Sequence, residues 1–293
     1  HVVHLCDPIP YFQAMNRVKL ISKLDCNQTI EEFIGSLVLD TQKSYLFIFN
    51  TIDSAKQAYQ ILKEKIQEPI AFLSTHIPPK ERLLRIHEIQ DGKFRFVVST
   101  QLVEAGVDIS FDVVYRDLAP LDSIIQSAGR CNRNGLNPGE VYILSLWDQR
   151  RRYASYIYEK VKIDATEELL NNSIFTEPEL LSLMENYFGL LKKRSGQLES
   201  DYFLNAIKKF FFQGDKLENE RIPIGDFRLI EEPYEKIDVF LELDEKAQRI
   251  WEQYTQIKQY DDPLQRRQKF MEIKSSLMEY MVSIPANVEN IPP

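Results

Sequence analysis

A short stretch near the middle of the chain, IIQSAGRCNRNG (residues 124–135), combines a glutamine with two arginines at regular spacing. If residues 123–133 form a helix, Gln126, Arg130 and Arg133 stand at i, i+4 and i+7 and share one face. A guanidinium group is planar and permanently charged, and it donates paired hydrogen bonds to phosphate or carboxylate oxygens. The spacing therefore predicts a site for an anion.

Polar side chains also follow three apolar runs that we predict to be strands. They are Asn50-Thr51, Ser74 to His76, and Ser99 to Ser110. The carboxyl ends of parallel strands meet at one edge of a sheet, where ligands bind. Hydroxyls, amides and backbone N–H groups hold phosphates in place without reading bases. The arginine stretch starts from the same edge, so the sequence predicts a site for a nucleotide, a nucleic-acid backbone, or both.

The elements that must position these side chains alternate between strand and helix up to about residue 150. Short apolar runs predict strands buried on both faces, and helical spacing of apolar residues predicts the helices between them. This alternation is typical of a parallel sheet covered on both faces. The predicted strands are 44–50, 69–75, 94–100, 112–118 and 139–146, and the first predicted helices are 53–66 and 78–90.

Helices dominate the rest of the chain. We predict that residues 1–150 form one α/β unit, and that residues 151–293 form a mainly helical accessory region with a small β element. Thr176 and Glu179 are in register for a capping box at a helix start. Predicted helices span 150–170, 176–194, 200–212, 244–260 and 262–281, and a strand pair is predicted from 227–232 and 236–243.

The composition restricts the class of protein. The 293 residues are 44% hydrophobic and carry a net charge of −8, so contact with nucleic acid must rely on local groups. Three cysteines without paired spacing argue against a disulfide framework or a zinc ribbon and fit a reducing compartment. No apolar run is long enough for a membrane span. The chain opens without Met, and we interpret it as a piece of a longer protein.

Several stretches resemble the conserved motifs of superfamily 2 helicases. LFIFNTIDSAKQAY resembles motif IV, LSTHIPPKERLLRI resembles the motif that follows it, and residues 97–135 resemble motifs V and VI. STHIPPKER, TQLVEAGVDI and QSAGRCNR together are most similar to the CRISPR-associated helicase-nuclease of type I interference systems. The resemblance covers roughly residues 43–147. It implies an α/β fold in which a RecA-like second helicase lobe precedes the accessory region.

The resemblance also implies residue roles at a nucleotide site. Motif VI places Arg130 and Arg133 as catalytic groups against the ATP γ-phosphate, across a cleft between two lobes. Gln126 lines the same cleft, and Gly106 and Asp108 of motif V lie near the nucleotide.

One position departs from the motif VI pattern. Many superfamily members carry arginine directly after the motif VI glutamine, where this chain has Ser127. A contact of that third arginine is therefore absent, and we expect a lower nucleotide affinity.

The resemblance also implies contacts with nucleic acid. The residues expected to contact the nucleic-acid backbone are Asn50, Thr51, Thr75, His76, Thr100 and Gln101.

Motifs that the chain lacks limit what it does alone. It has no G-x-x-x-x-G-K-[ST] sequence, no Asp-Glu-x-His magnesium pair and no His-Asp nuclease dyad. ATP hydrolysis needs the first two to hold the phosphates and the metal. We therefore expect ATP and Mg²⁺ to bind mainly to a missing N-terminal lobe. We expect no metal site in this chain, which by itself neither hydrolyses ATP nor cuts DNA.

The function implied for the intact protein is ATP-dependent translocation on single-stranded DNA in type I CRISPR interference, for unwinding and degrading foreign DNA. The implied partners are single-stranded DNA, the N-terminal lobe, a nuclease domain and a Cascade-type surveillance complex. The implied location is the prokaryotic cytoplasm, without membrane contact. The alternatives are the second lobe of another superfamily 2 helicase, from DNA repair, restriction or RNA metabolism, and a non-catalytic scaffold.

Each assignment has a structural alternative. The arginines could pair with Asp117 and Asp122, Asp108 could cap a turn, and Thr51 could cap the next helix. Cys131 beside the arginines is expected to be a small buried filler. Tyr187 is expected in the core, and Phe210 to Phe212 in a core or an inter-domain contact.

Overall fold

A seven-stranded sheet forms the centre of the molecule. The computed structural model describes residues 9–133, 135, 138–194, 198–213, 223–227 and 236–286. The strand order is β3-β4-β2-β5-β6-β1-β7, and every neighbouring pair is parallel except β1 and β7. The strands are β1 (Val18–Gln28), β2 (Tyr45–Ile48), β3 (Ile70–Leu73), β4 (Phe96–Ser99), β5 (Val113–Asp117), β6 (Gly139–Leu146) and β7 (Ile174–Thr176).

Helices cover both faces of this sheet. Alternate residues of β2 separate the two sides, because Leu46 and Ile48 pack in one apolar cluster while Phe47 packs in the other. The helices are α1 (Ile9–Ala14), α2 (Ile30–Ser36), α3 (Ile52–Lys65), α4 (Pro79–Gln90), α5 (Leu121–Ala128), α6 (Ala154–Ile157), α7 (Lys160–Leu170), α8 (Leu180–Arg194) and α9 (Leu198–Lys208).

The α/β class and the five predicted strands are confirmed. Strands β2 and β4 are buried on both faces, which explains their continuous apolar sequences. Strand β1 was not predicted, because its polar second half obscures the apolar pattern of its first half. It pairs parallel with β6 from Val18 to Lys23 and widens the sheet beyond the predicted strands.

The packing of the sheet continues past the predicted boundary at residue 150. Strand β7 pairs antiparallel with β1, and the side chains of Ile163, Leu170 and Leu183 lie in the apolar cluster of the sheet. Part of the predicted accessory region therefore shares a core with the first 150 residues.

Two predictions for the accessory region need correction. The helix predicted at 150–170 is two helices, α6 and α7, because Tyr158 is extended between them, with φ −114° and ψ 149°. Phe210 and Phe212 are 78% and 58% exposed, so neither lies in a core of the described residues, and the inter-domain contact stays a prediction. The capping box of Thr176 and Glu179 is confirmed, and Tyr187 is buried as expected.

The C-terminal part forms a small unit of two strands and two helices, namely β8 (Lys236–Phe240), α10 (Glu245–Ile257), α11 (Pro263–Met278) and β9 (Met281–Pro285). Strand β8 pairs antiparallel with β9. The strand predicted at 227–232 lies almost wholly outside the described residues. Among the helices that the structure describes, none is both long and apolar enough to cross a bilayer.

Candidate nucleotide and nucleic-acid interface

The loop after β4 carries the first group of predicted site residues. Thr100 leads into a short 3₁₀ turn at Gln101–Val103, and the chain continues to an isolated bridge between Phe111 and Cys131. Gly106 has φ +72° in this loop, a left-handed conformation that costs little only for glycine. Gly106 thus forms the turn between the half-buried Glu104 and the exposed Asp108.

The arginine stretch is only partly helical, which corrects the predicted helix 123–133. Helix α5 ends at Ala128, and Gly129 caps it. Beyond it, the bridge from Cys131 to Phe111 and a positive φ of 43° at Asn132 direct the chain. The backbone N–H of Arg133 donates to Ser110 Oγ at 3.0 Å. A return of the chain to the loop after β4, and not a continuous helical face, therefore positions Arg133.

The structure brings four predicted nucleotide-site residues together. The Nε and NH2 groups of Arg130 donate to the carbonyl oxygens of Val103 and Glu104, each at 2.7 Å. The NH1 group of Arg133 lies 3.2 Å from Asp108 Oδ1, and these two side chains are 44% and 74% exposed. Arg130 and Arg133 thus lie against the Gly106–Asp108 loop, and Asp117 is not their partner.

The charges at this cluster favour an anion. Burial lowers the pKa of Arg130, and the positive charge of Arg133 lowers it further, although Asp108 and Glu104 partly compensate. The two guanidinium groups therefore repel each other, and the exposed carboxylate of Asp108 pairs with Arg133. A phosphate bound there would relieve their repulsion and use N–H groups that Asp108 does not occupy.

Gln126 lies in a neighbouring cleft. Its exposed side chain lines a space of about 490 Å³ together with Gln101, Tyr158 and Phe188, between α5 and helices α7 and α8. The prediction placed Gln126 on one helix face with both arginines. Helix α5 ends at Ala128, five residues before the predicted end, so this face does not continue to the arginines.

The predicted nucleic-acid contacts come together at one edge of the sheet. Strands β3, β4 and β2 are neighbours, and their carboxyl ends lead to Thr75, Gln101 and Thr51. Thr75 is exposed, Gln101 and His76 are half-buried, and Thr51 caps α3 by accepting a hydrogen bond from the Ser54 N–H. These four positions remain predictions for backbone contact.

His76 is a neutral group at this edge. Burial lowers its pKa, and the charge of Lys56 lowers it further, with Asp53 opposing. The imidazole therefore offers a hydrogen bond at neutral pH and no net charge.

The nucleic-acid contacts predicted for Asn50 and Thr100 need correction, because these residues are only 2% and 4% exposed. The Asn50 amide donates to Asp117 Oδ2 at 2.6 Å and to the Leu118 carbonyl at 2.7 Å, and its oxygen accepts from Arg116 at 2.6 Å. A side chain with three internal partners supports the loop structure and does not reach a nucleic-acid strand in this conformation.

A buried ionic group lies beneath the arginines, and the sequence reasoning missed it. Arg116 of β5 is fully buried, and its NH2 lies 2.9 Å from Glu104 Oε1. The signal was present in VVYRDL, because a charged residue in a strand buried on both faces needs an internal partner. Within the described residues, no group of three or more His, Cys, Asp or Glu side chains is placed to hold a metal ion.

Cys131 is a buried filler, as expected. Burial raises the pKa of its thiol to about 12, so it is not a reactive thiolate. A Cβ atom at position 139 would lie 2.4 Å from its sulfur, so Gly139 is required for this close approach of β6.

Known proteins are similar to this chain over the region that carries the site. Residues 41–136 match the family model for the C-terminal part of the CRISPR-associated nuclease/helicase Cas3. A Cas3 nuclease/helicase of Haloferax volcanii is 31% identical over 253 residues, which cover 76% of this chain and 26% of the relative. One from Methanothermobacter thermautotrophicus is 26% identical over 278 residues, covering 85% of this chain and 32% of the relative. This chain thus spans about a quarter to a third of these relatives.

Solved structures show the same fold. A CRISPR-associated protein superposes with a TM-score of 0.55 at 16% identity, over 93% of this chain and 35% of its own. T. fusca Cas3 with AMPPNP superposes with a TM-score of 0.50 at 21% identity, over 67% of this chain and 26% of its own.

Proposed function

This chain carries a C-terminal helicase region of the Cas3 family, and from that premise we propose that the intact protein is an ATP-dependent translocase on single-stranded DNA in type I CRISPR interference. This chain acts as the second RecA-like lobe. A first lobe on another segment binds ATP and Mg²⁺. Arg130 and Arg133 complete the nucleotide site when the two lobes close, and the edge with Thr51, Thr75, His76 and Gln101 contacts the DNA backbone.

One observation carries this proposal: two guanidinium groups are held side by side at the surface, with Arg130 oriented by two backbone carbonyls. Oriented donors aimed at developing charge on a transferring phosphoryl group stabilise its transition state. Among the described residues, the half-exposed Arg133 forms its ion pair with the exposed carboxylate of Asp108, which a phosphate oxygen can replace.

We infer the following cycle. Lobe closure brings the arginines to the phosphates, and release of phosphate removes the anion that holds the lobes together. The DNA contacts of the second lobe then shift relative to those of the first. In the cell, a Cascade-type surveillance complex recruits the protein to opened DNA, and a linked nuclease degrades the strand.

The test is reconstitution of DNA-stimulated ATPase activity from this chain and a matching first lobe. We expect single-stranded DNA to stimulate ATP hydrolysis in the mixture and in neither part alone. Arg133→Ala should lower kcat by about 10³-fold, the lower end of the range for arginine fingers. Arg249→Ala is the matched control, because Arg249 is an exposed arginine on α10 in an ordinary surface pair with Glu245.

An inactive mixture with a first lobe that is verified to bind ATP would favour a non-catalytic scaffold. Stimulation by RNA but not by DNA would favour an RNA helicase instead.

A further inference from the structure

The interior of the lobe contains an arginine whose donors are all used. Arg116 Nε donates to Glu104 Oε1 at 3.0 Å, and NH1 donates to Asn50 Oδ1 at 2.6 Å and to the Asp117 carbonyl at 2.9 Å. NH2 donates to Ser123 Oγ at 3.2 Å and to the Tyr158 hydroxyl at 3.0 Å. Arg116 thus joins the end of β2, helix α5 and the segment before α7.

The carboxylate of Glu104 is the acidic partner and is equally occupied. It accepts from Arg116, from Ser123 Oγ at 2.6 Å and from Ser127 Oγ at 3.1 Å. Its side chain is 10% exposed. A carboxylate this deep is stable only with such partners, because an unpaired charge in the interior is strongly unfavourable.

The main chain of the same residue orients the surface arginine. The carbonyl oxygens of Val103 and Glu104 accept both hydrogen bonds that fix the Arg130 guanidinium. The turn is held from its other end as well, since Gln101 Nε2 donates to the Asn50 carbonyl at 2.9 Å. The side chain of Glu104 therefore anchors the turn internally, while its carbonyl group holds Arg130 at the surface.

Ser127 is the second residue of α5, after Ser123, that contacts the buried pair of Arg116 and Glu104. Its hydroxyl binds the same oxygen of Glu104 that Arg116 binds, and the residue is fully buried. This is the position at which the chain departs from the motif VI pattern, since many superfamily 2 members carry an arginine there. A guanidinium from β5 and a guanidinium from α5 would thus compete for one carboxylate.

We propose that Arg116 and Glu104 are a positioning pair for Arg130, and that a guanidinium at position 127 of α5 would replace the one from β5, because both positions reach the same oxygen of Glu104. Neither residue touches nucleotide, and both act through the Val103–Glu104 carbonyls. The structural part of this proposal concerns this chain alone, whereas its kinetic part rests on the proposed ATPase function.

The structural test follows the Arg130 Nε–H proton by NMR of the arginine-labelled chain. In the wild-type chain we expect this proton to exchange slowly, because it is hydrogen-bonded to the carbonyl of the buried Val103. Arg116→Ser should abolish its protection, and Arg116→Ser with Ser127→Arg should restore it. Arg17→Gln is the matched control: it breaks another ion pair with a buried glutamate, Glu177, and should leave the Arg130 signal unchanged.

A second pair of substitutions guards against simple unfolding. Arg116→Met with Glu104→Gln removes both charges of the pair together, so neither member is left as an unpaired buried charge. We expect this variant to fold and still to lose the Arg130 protection. Retained protection in either variant that lacks Arg116 and has serine at 127 would overturn the positioning pair. Failure of Ser127→Arg to restore protection would overturn the replacement.

The kinetic test uses the reconstituted ATPase. A misplaced Arg130 should lower kcat by about 10- to 100-fold with the KM for ATP changed less than about threefold, because a displacement of about 1 Å at a reacting group costs up to 10²-fold. The double variant with Ser127→Arg should recover kcat. A wild-type mixture without ATPase activity would refute the proposed function and leave the NMR result to decide the positioning pair.

Discussion

At the scale of single residues, the molecule separates an exposed arginine group from a buried polar group directly beneath it. Arg133 pairs with an exposed aspartate, whereas Arg116 and Glu104 are enclosed. The two groups meet at the Val103–Glu104 backbone.

Asp117 gives a prediction of pH dependence. Burial raises the pKa of this carboxyl to about 7, against the charge of Arg116 and hydrogen bonds from Leu146, Leu118 and Asn50. The unfolded value is about 3.9. Between these values the folded state binds more protons, so the stabilising contribution of Asp117 is complete below about pH 4 and is lost as pH rises through 7.

The measurement is the ¹³C shift of the Asp117 carboxyl across pH 4 to 9, assigned by its loss in Asp117→Asn. We expect a midpoint near 7. We also expect the urea-unfolding free energy of the wild type to fall more steeply between pH 4 and 7 than that of Asp117→Asn. A midpoint below 5 would contradict this account.

At the scale of elements, the N-terminus of α4 attaches the small C-terminal unit to the sheet. Lys80 donates from Nζ to Asp244 and to the Tyr280 hydroxyl, the latter at 2.9 Å, and its backbone N–H donates to the Glu279 carbonyl at 3.0 Å. Helix α4 begins four residues after Thr75. The C-terminal unit therefore docks close to a predicted DNA-contacting position.

Removal of this lysine should loosen the docking. In Lys80→Ala we expect faster hydrogen exchange in β9 and the start of α10, with exchange in β2 and β4 unchanged, because the sheet core lies elsewhere. Lys246→Ala is the control, since Lys246 pairs with Glu279 inside the same unit at 2.9 Å. Equal exchange in both variants would show that Lys80 does not hold the unit.

This contact also has an expected pH range. The hydrogen bond from Lys80 lowers the pKa of Asp244 to about 2. The folded value lies below the unfolded one, so the contact is complete above about pH 4 and weakens as pH falls through about 2.

At the scale of the whole molecule, a net charge of −8 leaves nucleic-acid binding to a few local groups. Lys56 is an exposed cation on α3 whose charge influences His76. It is therefore placed to attract the backbone of a strand at the predicted edge.

We expect the isolated chain to bind single-stranded DNA weakly, with a logarithmic salt slope of roughly −2 from two or three phosphate contacts at about 0.7 each. Lys56→Ala should make this slope shallower by about 0.7, as measured by fluorescence anisotropy at several salt concentrations. Lys63→Ala, an exposed lysine further along the same helix, should leave the slope unchanged. A wild-type slope near zero would refute DNA contact at this edge.

The sequence by itself determined the sheet class, the strands from β2 to β6 and the order of the helicase motifs, because buried parallel strands and strand-end polar residues leave strong local patterns. The resemblance to helicase motifs V and VI also predicted that Gly106, Asp108, Arg130 and Arg133 belong together. Only the tertiary structure decided how Arg133 returns to the loop, that Asn50 and Thr100 face inward, and that Arg116 pairs with Glu104. Those outcomes depend on contacts between residues 12 to 67 positions apart along the chain, and no local periodicity encodes such contacts.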